Sequence, residues 1–261
     1  MTEPTPEFLA LARDAGIEFD RGDLDRLALY LARLLDENTR QNLTAIDDPS
    51  QAWVRHIFDA LTLLAPLADL PDDAHIIDVG SGCGVPGIPL AIVLPRVRFT
   101  LLEATGKKAA FLERVAASLG LDNVRVVRAR AEAAGHDRGQ RLPSGERAGG
   151  HREAYHAVLA RAVGPLNVVA ELTVPLARPD GLILLVKGRR ADEELAEGAE
   201  ALRLLRASHS GTIDTPTGRI VVLVKDAPTP SIYPRRDGEP KRAPLGARPA
   251  SGARRAHEEP S

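Results

Sequence analysis

Apolar residues recur along this chain with two periods. Between Asp23 and Asn42, the residues Leu24, Leu27, Leu31, Leu34 and Leu35 return every three or four positions with charges between them. That is the stripe of an amphipathic helix, and Asp23 reads as its N-cap. A shorter stripe, Phe8, Leu9, Leu11 and Ala12, comes before it and stops at Gly16. Asp48-Pro49 opens a third helix with proline near its first position. Its apolar face is Trp53, Ile57, Ala60, Leu61 and Leu64, and Pro66 and Pro71 close it. From residue 75 short β-branched runs alternate with helical stripes. Strands are expected over 75–79, 98–103, 123–128, 154–160 and 181–187, and helices over 87–94, 106–119, 165–177 and 191–206. Two last strands, near 208–213 and 219–225, form a hairpin. This alternation predicts an α/β fold, a doubly wound and mostly parallel sheet with right-handed crossovers. Three regions follow: a helical extension over 1–70, a Rossmann-like domain over 71–226, and a basic, proline-rich, largely disordered tail over 227–261. Residues 135–153 are polar and rich in glycine, the composition of a mobile loop.

The chemistry concentrates where the first strand ends, at Ile77-Asp78-Val79-Gly80-Ser81-Gly82-Cys83-Gly84-Val85-Pro86-Gly87. A strand, a glycine turn and a helix make the layout of a nucleotide-type cofactor site. Gly82-x-Gly84-x-x-Gly87 fits the dinucleotide fingerprint formally. Asp78 argues against that reading, because a carboxylate at the strand end repels a pyrophosphate and favours a cationic ligand. The ammonium and sulfonium of S-adenosylmethionine are such a ligand. Glu103 ends the second strand about 20 residues past the turn, the reach of a carboxylate that holds ribose hydroxyls.

Composition narrows the choice. Aromatics are only 3%, so the core must be aliphatic, and binding modes built on rows of stacking aromatics lose support. The single cysteine, Cys83, leaves no internal disulfide and no cysteine-based zinc site, and the seven histidines show no ligand spacing, so no metal is expected. The net charge of −2 requires any nucleic-acid contact to come from local basic patches. With no signal-like start and no apolar run of spanning length, a cytoplasmic protein with no membrane association is expected.

Several blocks together resemble the RsmG (GidB) family, the bacterial 16S rRNA guanine-N7 methyltransferases. They are Asn42-Leu43-Thr44, Val54-Arg55-His56-Ile57-x-Asp59, the glycine block extended through Val85-Pro86-Gly87-Ile88-Pro89-Leu90, and Glu103-Ala104-Thr105-x-Lys107-Lys108. Arg130-Ala131-Glu132, Ala160-Arg161-Ala162-Val163, Val186-Lys187-Gly188 and a basic block from Tyr233 to Leu245 follow. The resemblance implies a class I S-adenosylmethionine-dependent methyltransferase: a seven-stranded sheet with a terminal antiparallel strand and a helical N-terminal extension. It implies cofactor contacts at Gly80, Val85, Glu103, Ala104, Thr105, Ala131, Glu132 and Arg161, to which the residue reading adds Asp78 and Gly82. His156, Cys83 and the long 135–153 loop depart from the usual family pattern.

Methyl transfer to guanine N7 needs no general base, since N7 carries a lone pair and no proton, and none is assigned. Candidate RNA contacts are Asn42, Arg55, His56, Lys107, Lys108, Lys187, Arg235, Arg236, Lys241 and Arg242. Each has a plainer reading: Asn42 as a helix cap, His56 as a packed histidine, the lysines as a solvated face and the tail arginines as a solubilising stretch. The expected partner is 16S rRNA or the small ribosomal subunit, met by a monomer. The alternatives are a methyltransferase with a small-molecule acceptor, or a non-methylating or NAD-binding Rossmann protein.

Overall fold

The computed structural model describes residues 3–141, 147–161 and 163–247. The N-terminal part is helical: α1 (Pro6–Asp14), α2 (Asp23–Gln41), α3 (Pro49–Ala52), a π-helical turn over Trp53–Phe58, α4 (Asp59–Leu61) and α5 (Leu64–Leu67). Asp48 caps α3 as expected, its carboxylate accepting the Gln51 N–H at 2.7 Å. Asp23 is not the cap of α2. Gly22 takes that place at φ +90°, and Asp23 is the first helical residue, paired with Arg26 at 2.7 Å. The third helix, expected to run unbroken, is interrupted by the π-turn, which holds one residue more than an α-turn.

The alternating part follows as β1 (His75–Val79), α6 (Gly87–Val93), β2 (Arg98–Leu102), α7 (Gly106–Ser118), β3 (Val124–Val127) and α8 (Ala131–His136). A small hairpin of β4 (Gln140–Arg141) and β5 (Arg147–Ala148) comes next, then β6 (Tyr155–Arg161), α9 (Leu166–Thr173) and β7 (Ala177–Lys187). The chain continues through α10 (Ala191–Leu205), β8 (Ala207–Thr215), β9 (Gly218–Lys225) and α11 (Glu239–Arg242). The main sheet has seven strands in the order β3-β2-β1-β6-β7-β9-β8. β9 alone runs against its neighbours, second from the edge. Helix α9 stops short of the expected 177. A 3-10 turn over Val174–Leu176 carries Pro175, which cannot donate a helical hydrogen bond. The Pro175 and Leu176 carbonyls instead accept the N–H groups of Glu153 and Ala154.

Alternation along the strands divides the core in two. Ile76, Phe99, Leu101, Leu159 and Leu184 face one way and pack with Leu27, Leu31, Trp53 and Ile57 of the N-terminal helices. Ile77, Leu102, Val158, Ile183 and Val221 face the other way, under α9 and α10. Both faces are covered, as a parallel sheet requires. Register then positions the loops. Val79 pairs with Leu102 and with Ala160, so Gly80, Glu103 and Arg161 leave the sheet side by side.

The stretch after 227 is not an extended tail as far as residue 247. Arg152, 7% exposed, donates to the carbonyls of Gly135, Thr229, Pro230 and Tyr233 at 2.6–3.2 Å. Glu153 accepts from the fully buried Lys225 ammonium and from the Thr229 N–H at 2.8 and 2.9 Å. Burial lowers the Lys225 pKa to about 8, although Glu153 works in the opposite direction. Farther on, Arg235 reaches Glu171 of α9, which is wholly buried, through its backbone N–H, Nε and Nη2 at 2.6–2.9 Å. The 135–153 stretch, expected to be a mobile loop, therefore holds the anchor of the C-terminal strap through Arg152 and Glu153. Residues 142–146 and 248–261 lie outside the described residues.

Removing one member of a buried ion pair leaves a charge uncompensated. Arg235→Ala should destabilise the fold by ~3–5 kcal/mol, whereas exposed Arg236→Ala should stay within ~0.5 kcal/mol of the parent. Urea unfolding of the two variants checks this. Equal midpoints would show that Arg235 is not an anchor.

Candidate active site

The glycine loop is fixed to β2 by its backbone. Gly80 and Ser81 donate to the Leu102 carbonyl at 2.9 and 3.1 Å, and Gly82 donates to Glu103 Oε2 at 2.9 Å. The other carboxylate oxygen of Glu103 accepts the Thr105 N–H at 2.7 Å. One buried carboxylate thus holds the loops after β1 and β2 together, and each of its oxygens keeps a second lone pair. Gly80, Gly82 and Gly84 have φ of +71°, +56° and +101°, which L side chains rarely adopt. Gly87 serves packing instead: a Cβ there would lie 2.3 Å from Leu101 Cδ2 and 2.9 Å from Asp78 Oδ2. Helix α2 braces the loop from below, with the Tyr30 hydroxyl donating to the Cys83 carbonyl at 3.0 Å.

Asp78 is buried beneath this loop. Its Oδ2 accepts the Gly87 N–H at 3.2 Å, and its Oδ1 has no hydrogen-bond partner among the described residues. Burial raises its pKa to about 7, against the pull of the Gly87 N–H and of Arg161. Half of the carboxyl is therefore committed to α6, and Oδ1 stays buried beneath the loop. Val85 is buried in the loop, while Ala104 and Thr105 are exposed beside Glu103. After β3, Ala131 is half-buried. Glu132 accepts the Gly238 N–H at 2.9 Å, which ties it to the C-terminal strap.

Arg161 continues the line on β6. Its side chain is 18% exposed, Nη2 lies 3.8 Å from Asp59 Oδ2, and Nη1 is buried without a hydrogen-bond partner among the described residues. Arg55, Asp59, Arg161 and Lys187 line a cavity of about 440 Å³ at the ends of β6 and β7, bordered by Thr217 of the β8–β9 turn and Gly218 of β9. Lys187 is engaged there by Glu194 at 2.8 Å and by the Gly164 carbonyl. Arg55 donates to the Thr217 carbonyl at 3.1 Å.

The other basic candidates are scattered. His56 is buried, with Nε2 3.0 Å from the Thr44 hydroxyl, and burial together with Arg161 lowers its pKa to about 4. It is neutral near pH 7 and faces the protein. Asn42 caps α2 in the left-handed region and is exposed. Lys107 is exposed and Lys108 half-exposed in the first turn of α7, and Arg236, Lys241 and Arg242 are exposed near α11. Among the described residues no group of three or more His, Cys, Asp and Glu is placed to hold a metal, and no helix is long and apolar enough to cross a membrane.

Sequence reasoning gave no role to Asp59, Thr217 or Tyr30. The available signal was Asp59 itself, an acid on the otherwise apolar face of Trp53, Ile57, Ala60 and Leu61.

The family pattern described as rRNA small subunit methyltransferase G (GidB) matches residues 23–217. The chain belongs to the rRNA small subunit methyltransferase G family. It is 49% identical to the ribosomal RNA small subunit methyltransferase G of Sorangium cellulosum over 85% of this chain and 87% of that protein. It is 39% identical to the protein of the same name from Roseiflexus castenholzii, over 92% and 99%. Among solved structures, the cofactor-bound Rv0187 from MTB aligns with TM-score 0.53 and 20% identity, over 86% of this chain and 99% of that one. A SAM-dependent methyltransferase from Aquifex aeolicus aligns with TM-score 0.50 and 14% identity, over 70% and 96%. These two likenesses bear on the fold, a mostly parallel seven-stranded sheet with an antiparallel strand near its end. As a member of the family the chain is a methyltransferase, and S-adenosylmethionine is its methyl donor. The site has the features such a ligand requires: glycine backbone that allows close approach, a prearranged acid at Glu103, and a second acid, Asp78, buried beneath the loop.

A raised native pKa on Asp78 means that, between the ordinary carboxyl range near 4 and about 7, the folded state binds more protons than the unfolded chain. Its contribution to stability is complete at low pH and is lost as pH rises through that window. Asp78→Asn should remove up to ~1.4 kcal/mol of dependence per pH unit there. Urea unfolding of both proteins at pH 5, 6, 7 and 8 measures it. A difference that does not change with pH would mean the carboxyl is ionised throughout.

Proposed function

We propose that this chain transfers the methyl group of S-adenosylmethionine to N7 of a guanine in the 16S rRNA of the small ribosomal subunit. The observation that carries the reading is adjacency. The glycine loop clamped by Glu103 and the cavity beside Arg161 open from neighbouring strand ends, at the point where the sheet order reverses between β1 and β6. The names of the relatives support ribosomal RNA as the acceptor.

In this reading the chain's residues bind and align. Gly80, Gly82 and Val85 offer backbone to the amino-acid end of the cofactor, and Asp78 beneath the loop favours its positive charge. Glu103, beside Ala104 and Thr105, takes the ribose hydroxyls, and Ala131 borders the adenine. Arg161 stands between cofactor and acceptor. When bound, the cofactor supplies an electrophilic methyl group on a sulfonium. The acceptor N7 has a lone pair and no proton, so alignment and exclusion of water are what the protein must provide. With a pKa lowered to about 4 by burial and by Arg161, His56 is a weak proton acceptor, which fits a reaction that needs no base.

For RNA, exposed Arg236, Lys241, Arg242, Lys107 and Arg55 and half-exposed Lys108 supply local positive charge that a net charge of −2 does not, with Asn42 as a polar contact beside them. Arg235, Lys187 and His56 are engaged within the protein and act by positioning. A single copy of the chain, working in the cytoplasm, satisfies this scheme.

Comparing 16S rRNA from cells with and without the gene tests the function: loss of one N7-methylguanine is expected, and an unchanged pattern would refute it. At residue level, Glu103→Gln should weaken S-adenosylmethionine binding by ~1–3 kcal/mol, since an amide has one acceptor oxygen where the site uses two. Calorimetric titration measures this, and an unaltered dissociation constant would put the ribose elsewhere.

A further inference from the structure

Two residues that line the cavity at the ends of β6 and β7 each carry a buried polar atom without a hydrogen-bond partner among the described residues. Asp59 is 6% exposed and its Oδ1 has no hydrogen-bond partner among the described residues. The same holds for Nη1 of Arg161. Across the cavity the nearest charged contacts of Asp59 Oδ2 are Arg161 Nη2 at 3.8 Å and Arg55 Nε at 3.9 Å, both beyond hydrogen-bonding distance. Buried polar atoms are nearly always paired, so an unpaired acceptor and an unpaired donor on two residues that line one cavity suggest a ligand with the opposite pattern. A second observation is independent of this. Asp59 directly follows the π-helical turn Trp53–Phe58, and such turns gather at functional sites.

We propose that Asp59 selects guanine, its carboxylate accepting the N1–H and the N2 amino group of a base turned out of the RNA. Arg161 Nη1 donates to O6 of the same base. This deepens, and rests on, the function proposed above. Of the four RNA bases only guanine presents two adjacent donors on its Watson–Crick edge, and N7 lies on the other edge, free to face the cofactor. The transfer also explains the preference for an anion. The N7 lone pair forms the new N–C bond, the C–S bond breaks, and its electron pair stays on sulfur as a neutral thioether. The positive charge thus moves from sulfur onto the guanine ring. N1–H and the amino group become stronger donors as it arrives, so their attraction to Asp59 is greater in the transition state than in the ground state.

The test is Asp59→Asn in the full chain, because the amide turns an N–H₂ towards one of the guanine donors. Adenosylhomocysteine affinity should stay within about twofold, which also shows that the variant is folded. Single-turnover methyl transfer to unmethylated small subunits should drop about 100-fold or more. In parallel, the adenosylhomocysteine-saturated parent should bind guanosine monophosphate at least about tenfold more tightly than adenosine monophosphate, one good base contact being worth that much, and the variant should lose the difference. A variant that methylates at the parental rate overturns the assignment, and so does a parent that does not prefer the guanine nucleotide. A folded variant that loses adenosylhomocysteine binding also overturns it, because Asp59 would then belong to the cofactor. A parent that transfers no methyl group to 16S rRNA refutes the function itself, which keeps the two failures apart.

Discussion

The site depends on one carboxylate. Glu103 accepts hydrogen bonds from Gly82 and Thr105 on two different loops, and these loops follow strands whose last residues are already level. A glycine-rich turn on its own has many conformations to lose on folding. Here it is held at Gly80 and Ser81 by the Leu102 carbonyl, at Gly82 by Glu103, and at Cys83 by Tyr30. The turn can therefore expose bare backbone without being loose. Preorganisation of this kind reduces the ordering cost at the moment of binding.

The same logic extends beyond the α/β sheet. Helix α2 reaches the loop through Tyr30, the π-turn brings Arg55 and Asp59 to the cavity, and the β8–β9 turn borders it with Thr217. At the C-terminal side Glu132 is occupied by Gly238 and Glu171 by Arg235. Buried charges are costly unless paired, so each of these contacts is geometrically demanding. They tie the N-terminal helices and the final strap to the sheet through specific atoms as well as through shared apolar surface.

How much of this was legible in the sequence follows from the range of each cause. The strands, the crossover helices and the glycine loop are set by periodicity and turn chemistry within a few residues, and the structure has them close to where the pattern puts them. Glu103 was readable because its distance from the glycine turn is fixed by a strand–helix–strand unit. The anchoring role of Arg152 was not, since its carbonyl partners Thr229 and Tyr233 lie 77 and 81 residues away. Arg235 looked like a free tail cation because Glu171, 64 residues earlier, sits in what reads as an ordinary apolar helix. Asp59 stood in a recognisable block, but its setting comes from Arg161 and Thr217, which lie far along the chain and line the same cavity, and composition and spacing do not reveal that.

The π-helical turn has a consequence of a different kind. Each residue of an α-helix turns the chain by about 100°. A turn with one extra residue therefore sets the side chains before it out of phase with those after it. The relation of Arg55 and His56 to Asp59 and Thr62 is stored as a count of residues, not as an identity at any one position. Substitution can retune this wall of the cavity one side chain at a time. Deleting a single residue from Trp53–Phe58 would restore a regular helix and rotate the residues on one side of the turn relative to those on the other. In this segment the reading frame of the helix is itself a functional element, and gain or loss of one codon here would act on the site as a whole.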